Sequence, residues 1–403
     1  SYADKNAGTG KTLNVNSGYT VNDGNSGNNY DVSLVDDLTG VINQAPLIIT
    51  AVTNTKTYDG TTSLTGAITL SGLIGSETLT YTGATALSAN VLGTNYINAI
   101  TLANGTNGGL ASNYALPSLT GSGANNSVTI SAKALNLSAT KTYDATTTLT
   151  GTVTMTGLIG SQTLTYIGAS AHTANAGSTY IDAITVTDGA NGGLASNYAL
   201  PTLNATNAPV TITPKALTVT GTTVPDKVYD GTTTTTLANG VLVGVVGSEA
   251  VGLVQSGTFA SANAGAGVAV VANDSLSGNA AVLSNYTLVQ PTTTTGNITK
   301  ASLGITVTGI YSGTTTITPT AFTVNGLVNN ETIDTLSSAT VSNPNVNTSA
   351  KYVNSVVIGS GSASINNYVI TQAFNPNAGV TENTVYINPK ALTISGSKTY
   401  DCS

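Results

Sequence analysis

The sequence has 403 residues, of which only 7% are charged; the net charge is −7 and all 11 basic residues are lysine. A nucleic-acid-binding protein needs a basic surface and a polybasic membrane anchor needs clustered cations, so the composition excludes both classes. The single cysteine, Cys402, excludes a disulfide within the chain. Hydrophobic residues make up 40% of the sequence and fall in alternating β-branched runs, which favours packed β-structure over disorder.

A junction motif recurs along the chain and divides it into repeats. It consists of a strand that reads Ile-x-x-Lys-Ala-Leu and a later turn that reads Tyr-Asp-Gly, and its clearest copy runs from Ile212 to Gly231. Successive turn tyrosines are separated by 85, 86, 82 and 89 residues. Units of this length are large enough to close their own core. The marker positions are Tyr58, Asp59, Gly60, Tyr143, Asp144, Tyr229, Asp230, Gly231, Tyr311 and Tyr400.

The repeat predicts four complete modules with a partial module on either side. The leading segment reads as the C-terminal part of a preceding repeat, with Asn29-Tyr30 in the place of a later Asn-Tyr motif. The trailing segment reads as the opening strand of a further repeat. The predicted boundaries are 1–48 for the leading segment, 49–129, 130–211, 212–297 and 298–386 for repeats 1 to 4, and 387–403 for the trailing segment.

Within the repeats, short apolar alternations are separated by turn signals. Ile68 and Leu70 alternate with polar neighbours, which is the period of a half-buried strand, and Asn107-Gly108 is a strong turn signal. About six to eight strands per repeat, with turns roughly every 8–12 residues, indicate a β-sandwich, and we expect almost no helix. The predicted fold is all-β: a tandem array of small Ig-like β-sandwich modules. Short joints, stiffened by Pro214 and Pro389, predict an elongated rod.

The turn and strand motifs resemble a known class of repeat. Repeat 1 reads Lys56-Thr57-Tyr58-Asp59-Gly60-Thr61-Thr62, with copies at 141–147 and 227–233, and the strand motif returns as Lys390-Ala391-Leu392-Thr393. These motifs are similar to the YDG and related MBG repeats of large bacterial surface proteins, the filamentous-haemagglutinin-like adhesins exported by two-partner secretion. The resemblance covers nearly the whole chain and departs at Ala145, Ser312 and Cys402.

The resemblance implies an extracellular protein, at the cell surface or in a biofilm matrix, with the structural role of an adhesin or matrix fibre. It supplies no active site. The residues themselves agree, since they provide no nucleophile–base pair, paired carboxylates or metal cluster, and we expect that the protein is not an enzyme.

The turn aspartates raise the question of a metal. Asp59, Asp144 and Asp230 could bind calcium, but calcium takes about six to eight oxygen ligands, usually from clustered carboxylates. Asp-Gly is also ordinary turn chemistry. We therefore predict no cofactor, with calcium as the alternative. His172 has no companion histidine or cysteine nearby that could complete a metal site, so we expect it to be a surface or loop residue. Met155 stands in the place of Leu70, so we expect its side chain to fill space in the core.

The Asn-Tyr motifs allow two interpretations. Their tyrosines can stack on sugars, or they can pack in the core like a tyrosine corner, with a hydrogen-bonded hydroxyl. One tyrosine per repeat at the same place favours packing. Tyr96 and Tyr180 are then the best candidates for exposed aromatic contacts. The complete set of Asn-Tyr tyrosines is Tyr30, Tyr114, Tyr198, Tyr286 and Tyr368.

Two cross-linking chemistries are also conceivable. Lys133, Lys215 and Lys390 open repeats and could form isopeptides with asparagine, but this needs a buried acid that the sequence does not identify. Cys402 could join two chains, although a lone terminal cysteine is more often incidental.

Three functions stay open. The first is a non-catalytic stalk or fibre segment. The second is a multivalent, low-affinity module that binds glycans or proteins. The third is a filament subunit in which residues 387–403 of one chain complete residues 1–48 of the next by strand exchange. The plain alternative to this third function is that the sequence is a fragment of a much longer chain, cut out of register with the repeats. Expected partners are like chains or other repeats, surface glycans or matrix, without nucleic acid or membrane insertion.

Overall fold

The structure is a computed structural model that describes residues 1–51, 56–121, 126–292, 294–346, 351–370 and 383–400. Its secondary structure is nearly all β, which confirms the all-β class and the expectation of almost no helix. The described residues contain one short α-helix, Ala280–Leu283, and three 3-10 turns, Ala111–Asn113, Ala195–Asn197 and Ile365–Asn367. None of the described helices has the length and apolar character that a membrane span requires.

The chain divides into two compact units. The first contains Ser1–Lys141 and Thr146–Thr213, and the second contains Thr142–Ala145 and Pro214–Ser403. The strands of the leading segment and repeats 1 and 2 are β1 (Gly8–Leu13), β2 (Asp37–Ile42), β3 (Ala45–Pro46), β4 (Ile48–Ala51), β5 (Lys56–Thr57), β6 (Ile68–Ser71), β7 (Leu79–Ala86), β8 (Asn95–Asn104), β9 (Tyr114–Ala115), β10 (Ser127–Val128), β11 (Ile130–Ser131), β12 (Lys133–Ala134), β13 (Asn136–Thr142), β14 (Val153–Thr156), β15 (Leu164–Ala171), β16 (Gly177–Asp188), β17 (Tyr198–Ala199) and β18 (Pro209–Thr213).

The later strands belong to repeats 3 and 4 and the start of the trailing segment. They are β19 (Lys215–Thr220), β20 (Lys227–Val228), β21 (Thr234–Thr235), β22 (Val241–Val243), β23 (Val251–Val254), β24 (Gly257–Phe259), β25 (Gly265–Ala272), β26 (Ser275–Gly278), β27 (Tyr286–Val289), β28 (Thr294–Thr299), β29 (Ala301–Ile310), β30 (Thr316–Ile317), β31 (Pro319–Asn325), β32 (Ile333–Val341), β33 (Val353–Gly361), β34 (Tyr368–Ile370) and β35 (Asn383–Asn388).

The first unit combines long antiparallel hairpins with short parallel pairs. The hairpins are β7–β8 and β15–β16, and β4 pairs antiparallel with β6. The parallel pairs β3–β9 and β12–β17 join a strand before each repeat body to its Asn-Tyr strand, and β5 pairs in parallel with β11. Repeat 2 also forms a five-stranded sheet in the order β14-β13-β18-β16-β15.

The second unit follows the same plan. β19 lies between antiparallel β22 and parallel β27, and β29 lies between antiparallel β31 and the parallel strands β34 and β35. A five-stranded sheet has the order β20-β28-β25-β24-β21, and β30-β32-β33 form an antiparallel sheet. In both repeats the opening strand, β19 or β29, therefore again lies beside the Asn-Tyr strand.

One continuous stretch of backbone serves two consecutive repeats. β11 pairs with β5 of repeat 1; one residue later, β12 pairs with β17 of repeat 2. In the second unit, β28 pairs with β20 of repeat 3, and after Lys300 β29 pairs with β34 of repeat 4. At both of these joints, a single residue separates the last strand of one repeat from the first strand of the next.

The cores consist of the inward-facing residues of these strands. In β6, Ile68 is buried and Leu70 half-buried while their polar neighbours are exposed, which confirms the predicted alternation. Asn107 and Gly108 both have positive φ, 56° and 82°, which confirms the predicted turn. Fully buried large side chains in the first unit include Ile49, Leu64, Ile97, Leu135, Leu149, Ile181 and Ile212, and in the second unit Leu217, Phe259, Leu303, Ile305 and Ile317.

The leading segment departs from the sequence prediction at its Asn-Tyr motif. Tyr30 is 62% exposed and lies outside any strand, so its predicted equivalence to the later core tyrosines is wrong. The physical reason is local. The carboxylate of Asp23 accepts hydrogen bonds from the backbone N–H groups of Asn25 and Gly27 and from the side chain of Asn29, which holds this stretch in polar turns.

Candidate functional site

The Tyr-Asp-Gly turns are stabilised by lysines of the same motif. The Lys56 ammonium lies 2.8 and 2.9 Å from the two carboxylate oxygens of Asp59, and Thr61 donates its N–H and its hydroxyl to Asp59 Oδ1. Burial by itself would raise the pKa of Asp59, but Lys56 and Thr61 together hold it below its ordinary value. Lys227 and Asp230 form the same pair at 2.9 Å.

These contacts give the two aspartates a structural role in the turn. No group of three or more potential metal ligands occurs among the described residues. Asp144 also has a bonding partner. The carboxylates of Asp59 and Asp230 already face lysines of the chain itself, so these two turns give the calcium alternative no support.

The third position of the turn requires a left-handed backbone. Gly60, Gly231 and Gly313 have φ values of 78°, 74° and 81° there, and Ala145 adopts a φ of 61° at the same position. A residue with a Cβ is strained in this region, which favours glycine. The departure from the motif at Ala145 therefore preserves the shape of the turn at a cost in backbone strain.

The turn tyrosines of the first three repeats are buried and reach into a polar site formed by the next sequence repeat. There, one long polar side chain bonds to the turn tyrosine and to the Asn-Tyr tyrosine at the same time. We call this arrangement a tyrosine clamp. The three clamps are Tyr58–Gln162–Tyr198, Tyr143–Glu249–Tyr286 and Tyr229–Glu331–Tyr368.

The two glutamate clamps have matching geometry. Tyr143 and Tyr286 donate their hydroxyls to the two carboxylate oxygens of Glu249, each at 2.5 Å. Both tyrosines belong to the second unit, because Thr142–Ala145 clusters with it. Tyr229 and Tyr368 bind Glu331 in the same way, also at 2.5 Å. A carboxylate has one strong acceptor oxygen for each hydroxyl, so both are satisfied without water.

The glutamine clamp also bonds to two buried tyrosine hydroxyls, but its side chain is neutral. Gln162 donates its Nε2 to the Tyr58 hydroxyl at 2.7 Å and accepts the Tyr198 hydroxyl on Oε1 at 2.5 Å. The amide thus offers one donor and one acceptor where the carboxylate offers two acceptors.

Ring packing and backbone bonds complete each clamp. The two rings meet edge to face, with centroids 5.4 to 5.5 Å apart in all three clamps. The hydroxyl of the Asn-Tyr tyrosine also accepts a backbone N–H from Ile159, Val246 or Val328. Burial, and then the hydrogen bond to the glutamate, raise the pKa of Tyr143 to about 12; burial and Glu331 do the same for Tyr368.

The asparagine before the Asn-Tyr tyrosine forms a second link between consecutive repeats. Asn197 accepts the Val91 N–H at 2.8 Å and donates to Asn90 Oδ1 at 2.8 Å. Asn367 accepts the Ala264 N–H at 2.9 Å and donates to Asn263 Oδ1 at 3.0 Å. Asn197 and Asn367 are both almost completely buried.

Repeat 1 has the same site, but a lysine contacts its glutamate in the place of a turn tyrosine. Tyr114 is buried and donates its hydroxyl to Glu77 Oε2 at 2.7 Å, while Lys5 lies 3.1 Å from Glu77 Oε1. The Tyr114 hydroxyl, and then Lys5, lower the pKa of Glu77. Asn113 accepts the Ala7 N–H and donates to Asn6, as Asn197 and Asn367 do with their partners.

The last two turn tyrosines are not in clamps within the described structure. Tyr311 is 39% exposed and donates its backbone N–H to Asn388, and Tyr400 is 87% exposed. The turn tyrosines therefore divide into three buried and two exposed members among the described residues.

The Asn-Tyr tyrosines of the four repeats, Tyr114, Tyr198, Tyr286 and Tyr368, are all buried, as the core interpretation predicts.

Other predicted positions lie on or near the surface. His172 is exposed, stacks on Tyr180 at a centroid distance of 4.5 Å, and places Nδ1 3.2 Å from Asp182, so the prediction of a surface residue is confirmed. Tyr96 and Tyr180 are half-buried. The glycan-binding alternative stays a prediction. Met155 is only half-buried, which makes the prediction of core filler wrong in part, because it borders a cavity of about 520 Å³.

The cross-linking candidates are placed as follows. Lys133 and Lys215 are half-buried at the start of β12 and β19, and Lys390 is exposed. Cys402 lies outside the described residues.

Sequence reasoning missed the polar residues of the clamps, Glu77, Gln162, Glu249 and Glu331. The available signal was their position, since three of them follow a Gly-Ser pair and the fourth follows Asn329-Asn330. In a sequence with so few charges, an acidic or amide residue that returns at one repeat position indicates a shared role.

Comparison with known proteins agrees with the repeat. The model of the YDG domain family matches residues 43–121 and 213–295. No curated protein and no solved structure matches the chain. The matched segments contain the turns at Tyr58 and Tyr229, and they are YDG-type regions.

Proposed function

We propose that the protein is a non-catalytic structural segment of a bacterial extracellular adhesin or matrix fibre. In this proposal, tandem β-sandwich modules form an elongated stalk that carries or spaces other parts of the assembly. Expected partners are like chains, other repeats and matrix components, at the cell surface or in a biofilm matrix.

The observation that carries the proposal is the joint between consecutive repeats. One residue separates β11 from β12, and one separates β28 from β29, so these joints have almost no free chain. Each is also fixed by a tyrosine clamp and a buried asparagine. A linker of that kind transmits orientation from one module to the next, whereas longer flexible linkers would let the modules move independently.

The composition supports an exported structural role. Only 7% of residues are charged, Thr, Ser, Asn and Gly dominate the polar positions, and the chain lacks arginine. The polar groups that are buried in the clamps bind one another, so they serve the joints and leave no unpaired acid–base couple at these sites.

Small-angle X-ray scattering on the full chain tests the proposal. A compact globule of 403 residues has a radius of gyration of about 21 Å. Four modules in line, each about 35 Å long at roughly ten strand residues per module, give about 40 Å. A value near the globular one, with no elongation in the pair-distance distribution, would refute the stalk.

A further inference from the structure

The first and last strands of repeat 4 lie side by side and run in the same direction. β29 opens this repeat, and β35 is the last strand before the next Lys-Ala-Leu motif, at Lys390. The two strands pair in parallel at six successive positions, from Ile305 opposite Asn383 to Ile310 opposite Asn388. Three earlier residues of β29 pair in parallel with β34. Nearly the whole opening strand is therefore held by parallel neighbours.

Repeats 1 and 3 show the same direction of pairing. β5 and β20, which lead into the Tyr-Asp-Gly turns, pair in parallel with the closing strands β11 and β28. Earlier in the same repeats, β3 pairs in parallel with β9, and β19 with β27. The long hairpins β7–β8 and β32–β33 are antiparallel and lie between the opening and closing strands in the chain. These parallel pairs thus all include a strand through which the chain enters a repeat.

The direction of pairing decides how tension along the chain loads a repeat. Tension pulls the opening strand towards its N-terminus and the closing strand towards its C-terminus. In a parallel pair these two termini lie at opposite ends of the ladder, so the strands must slide past each other and all their hydrogen bonds are strained together. If two termini at the same end of the ladder were pulled, the bonds would open one after another. Sliding is the harder route, because several bonds break in a single step.

The buried side chains of both strands add to the resistance against sliding. Leu303, Ile305 and Val307 of β29 are at most 1% exposed, and Val385 and Ile387 of β35 are each 6% exposed. Side chains alternate between the two faces of a sheet, so a shift by one residue would turn these apolar side chains away from the core. A shift by two residues, about 7 Å, is the first that restores their facing, and it breaks every existing pair on the way.

The joint into repeat 4 leaves no slack in the path of the load. Only Lys300 separates β28 of repeat 3 from β29, so tension reaches β29 directly from the closing strand of repeat 3. β28 is itself paired in parallel with β20. The load therefore passes from one parallel pair to the next, and the hairpin β32–β33 carries none of it until the pair of β29 and β35 breaks.

We propose that the parallel pair of β29 and β35 is a mechanical latch that keeps repeat 4 folded when the chain is under tension. The latch breaks by sliding, and the hairpin β32–β33 opens only afterwards. The inference rests on the proposed function in one respect, since a structural stalk is a segment that experiences such tension. The latch itself is a property of the fold and has a separate test.

Optical-tweezers measurements on the full chain can load this pair in two directions. DNA handles are attached through thiols in a Cys402→Ser background, which removes the natural thiol. Lys300→Cys with Lys390→Cys places the handles at opposite ends of the pair, so the strands slide. Ser312→Cys with Lys390→Cys places both handles at the same end, so the strands peel apart. All three handle positions are exposed, and the core is left intact.

At one constant force, we expect repeat 4 to stay folded at least about tenfold longer in the sliding geometry than in the peeling geometry, because six pairs are strained together rather than in turn. The opening of repeat 4 is identified by the length of chain that it releases. At about 3.6 Å per residue, this is up to about 320 Å between the handles at 300 and 390, and up to about 280 Å between those at 312 and 390. Equal lifetimes, or a longer lifetime in the peeling geometry, would overturn the latch.

Two valine variants locate the barrier within the pair. Val385 in β35 and Val356 in β33 are each 6% exposed, so truncation to alanine removes the same groups from equally buried sites. Under the sliding load, Val385→Ala should shorten the folded lifetime about tenfold, because its contacts break at the barrier. Val356→Ala should leave the lifetime unchanged, because the hairpin β32–β33 opens after the latch. Equal shortening in both variants would contradict a barrier at β29 and β35.

The outcomes separate the latch from the stalk. Scattering measures the shape of the unloaded chain, whereas the tweezers compare two loading directions within one repeat. A compact chain in which repeat 4 resists sliding longer than peeling would refute the stalk and leave the latch in place. An elongated chain with equal lifetimes in the two geometries would refute the latch and leave the stalk in place.

Discussion

Glu331 offers the sharpest test of the clamp, because two buried tyrosines share its carboxylate. Tyr229 and Tyr368 are 4% and 3% exposed, and each donates its hydroxyl to Glu331 at 2.5 Å. Hydrogen bonds to a charged group contribute about 1.5–3 kcal/mol each. Glu331→Ala removes both and leaves two hydroxyls without this acceptor, so we expect a loss of about 3–5 kcal/mol in the local stability of the joint.

The chain itself provides the matched variant. Glu331→Gln reproduces the side chain of the Gln162 clamp, in which an amide bonds to both tyrosines. Neutral hydrogen bonds are about half as strong as charged ones, so this variant should lose only about 1–2 kcal/mol. Asp334→Ala removes an exposed charge two residues into β32 and should change stability by less than about 0.5 kcal/mol.

Hydrogen exchange measured by mass spectrometry is suited to this comparison, since a repeat array does not unfold in one two-state step. Peptides that cover Tyr229 and Tyr368 should exchange about a thousandfold faster in Glu331→Ala, which corresponds to about 4 kcal/mol. The same peptides should change about tenfold in Glu331→Gln. Equal effects of the alanine and glutamine variants would refute the reasoning, because they would show that the hydrogen bonds to residue 331 do not hold the joint.

Three further predictions follow from the same contacts. The pKa of Tyr143 is about 12 in the folded chain against an ordinary 10.0, so its contribution to stability is complete below pH 10 and is lost as the pH rises towards 12. The free energy of unfolding should therefore fall less steeply with pH in that window for Tyr143→Phe than for the parent chain. Ala145→Gly should stabilise the second unit by about 1 kcal/mol, because Ala145 has a left-handed backbone. Gly313→Ala, with open space around its Cβ, should destabilise the unit by a similar amount. Denaturant titrations in which the unfolding midpoints of both variants shift in the same direction would contradict the strain argument. Asn367→Ala should cost about 1–3 kcal/mol, because the Ala264 N–H loses its acceptor, with the change in hydrogen exchange confined to the peptides around these two residues.

Local sequence patterns were sufficient to predict individual strands and turns. The alternation at Ile68 and Leu70 and the left-handed pair Asn107-Gly108 are properties of a few neighbouring residues, and the structure has them as predicted. The core position of Tyr114 was also predictable, because one tyrosine at a fixed place in each repeat fits a packing role better than a surface role.

The partners of the clamps were not predictable in the same way. The turn tyrosines and their polar partners are separated by 102 to 106 residues, which is more than one repeat length, so the contact links a repeat to the next one. A pattern within one repeat carries no information about that register. Tyr30 shows the opposite error, because its motif was correct while the carboxylate of Asp23 imposed a different local backbone.

The distribution of glutamate shows how much of the scarce charge goes to the joints. The sequence has four glutamates, and Glu77, Glu249 and Glu331 occupy the same position in their repeats. Two tyrosine hydroxyls that lose water on burial need strong acceptors, and one carboxylate supplies two oxygens at the required separation. Gln162 meets the same requirement only because the Tyr58 hydroxyl accepts a hydrogen bond there. The surfaces of the repeats can thus diverge, as they do most in repeat 4, while the joint is kept by two tyrosines, an asparagine and one long polar side chain.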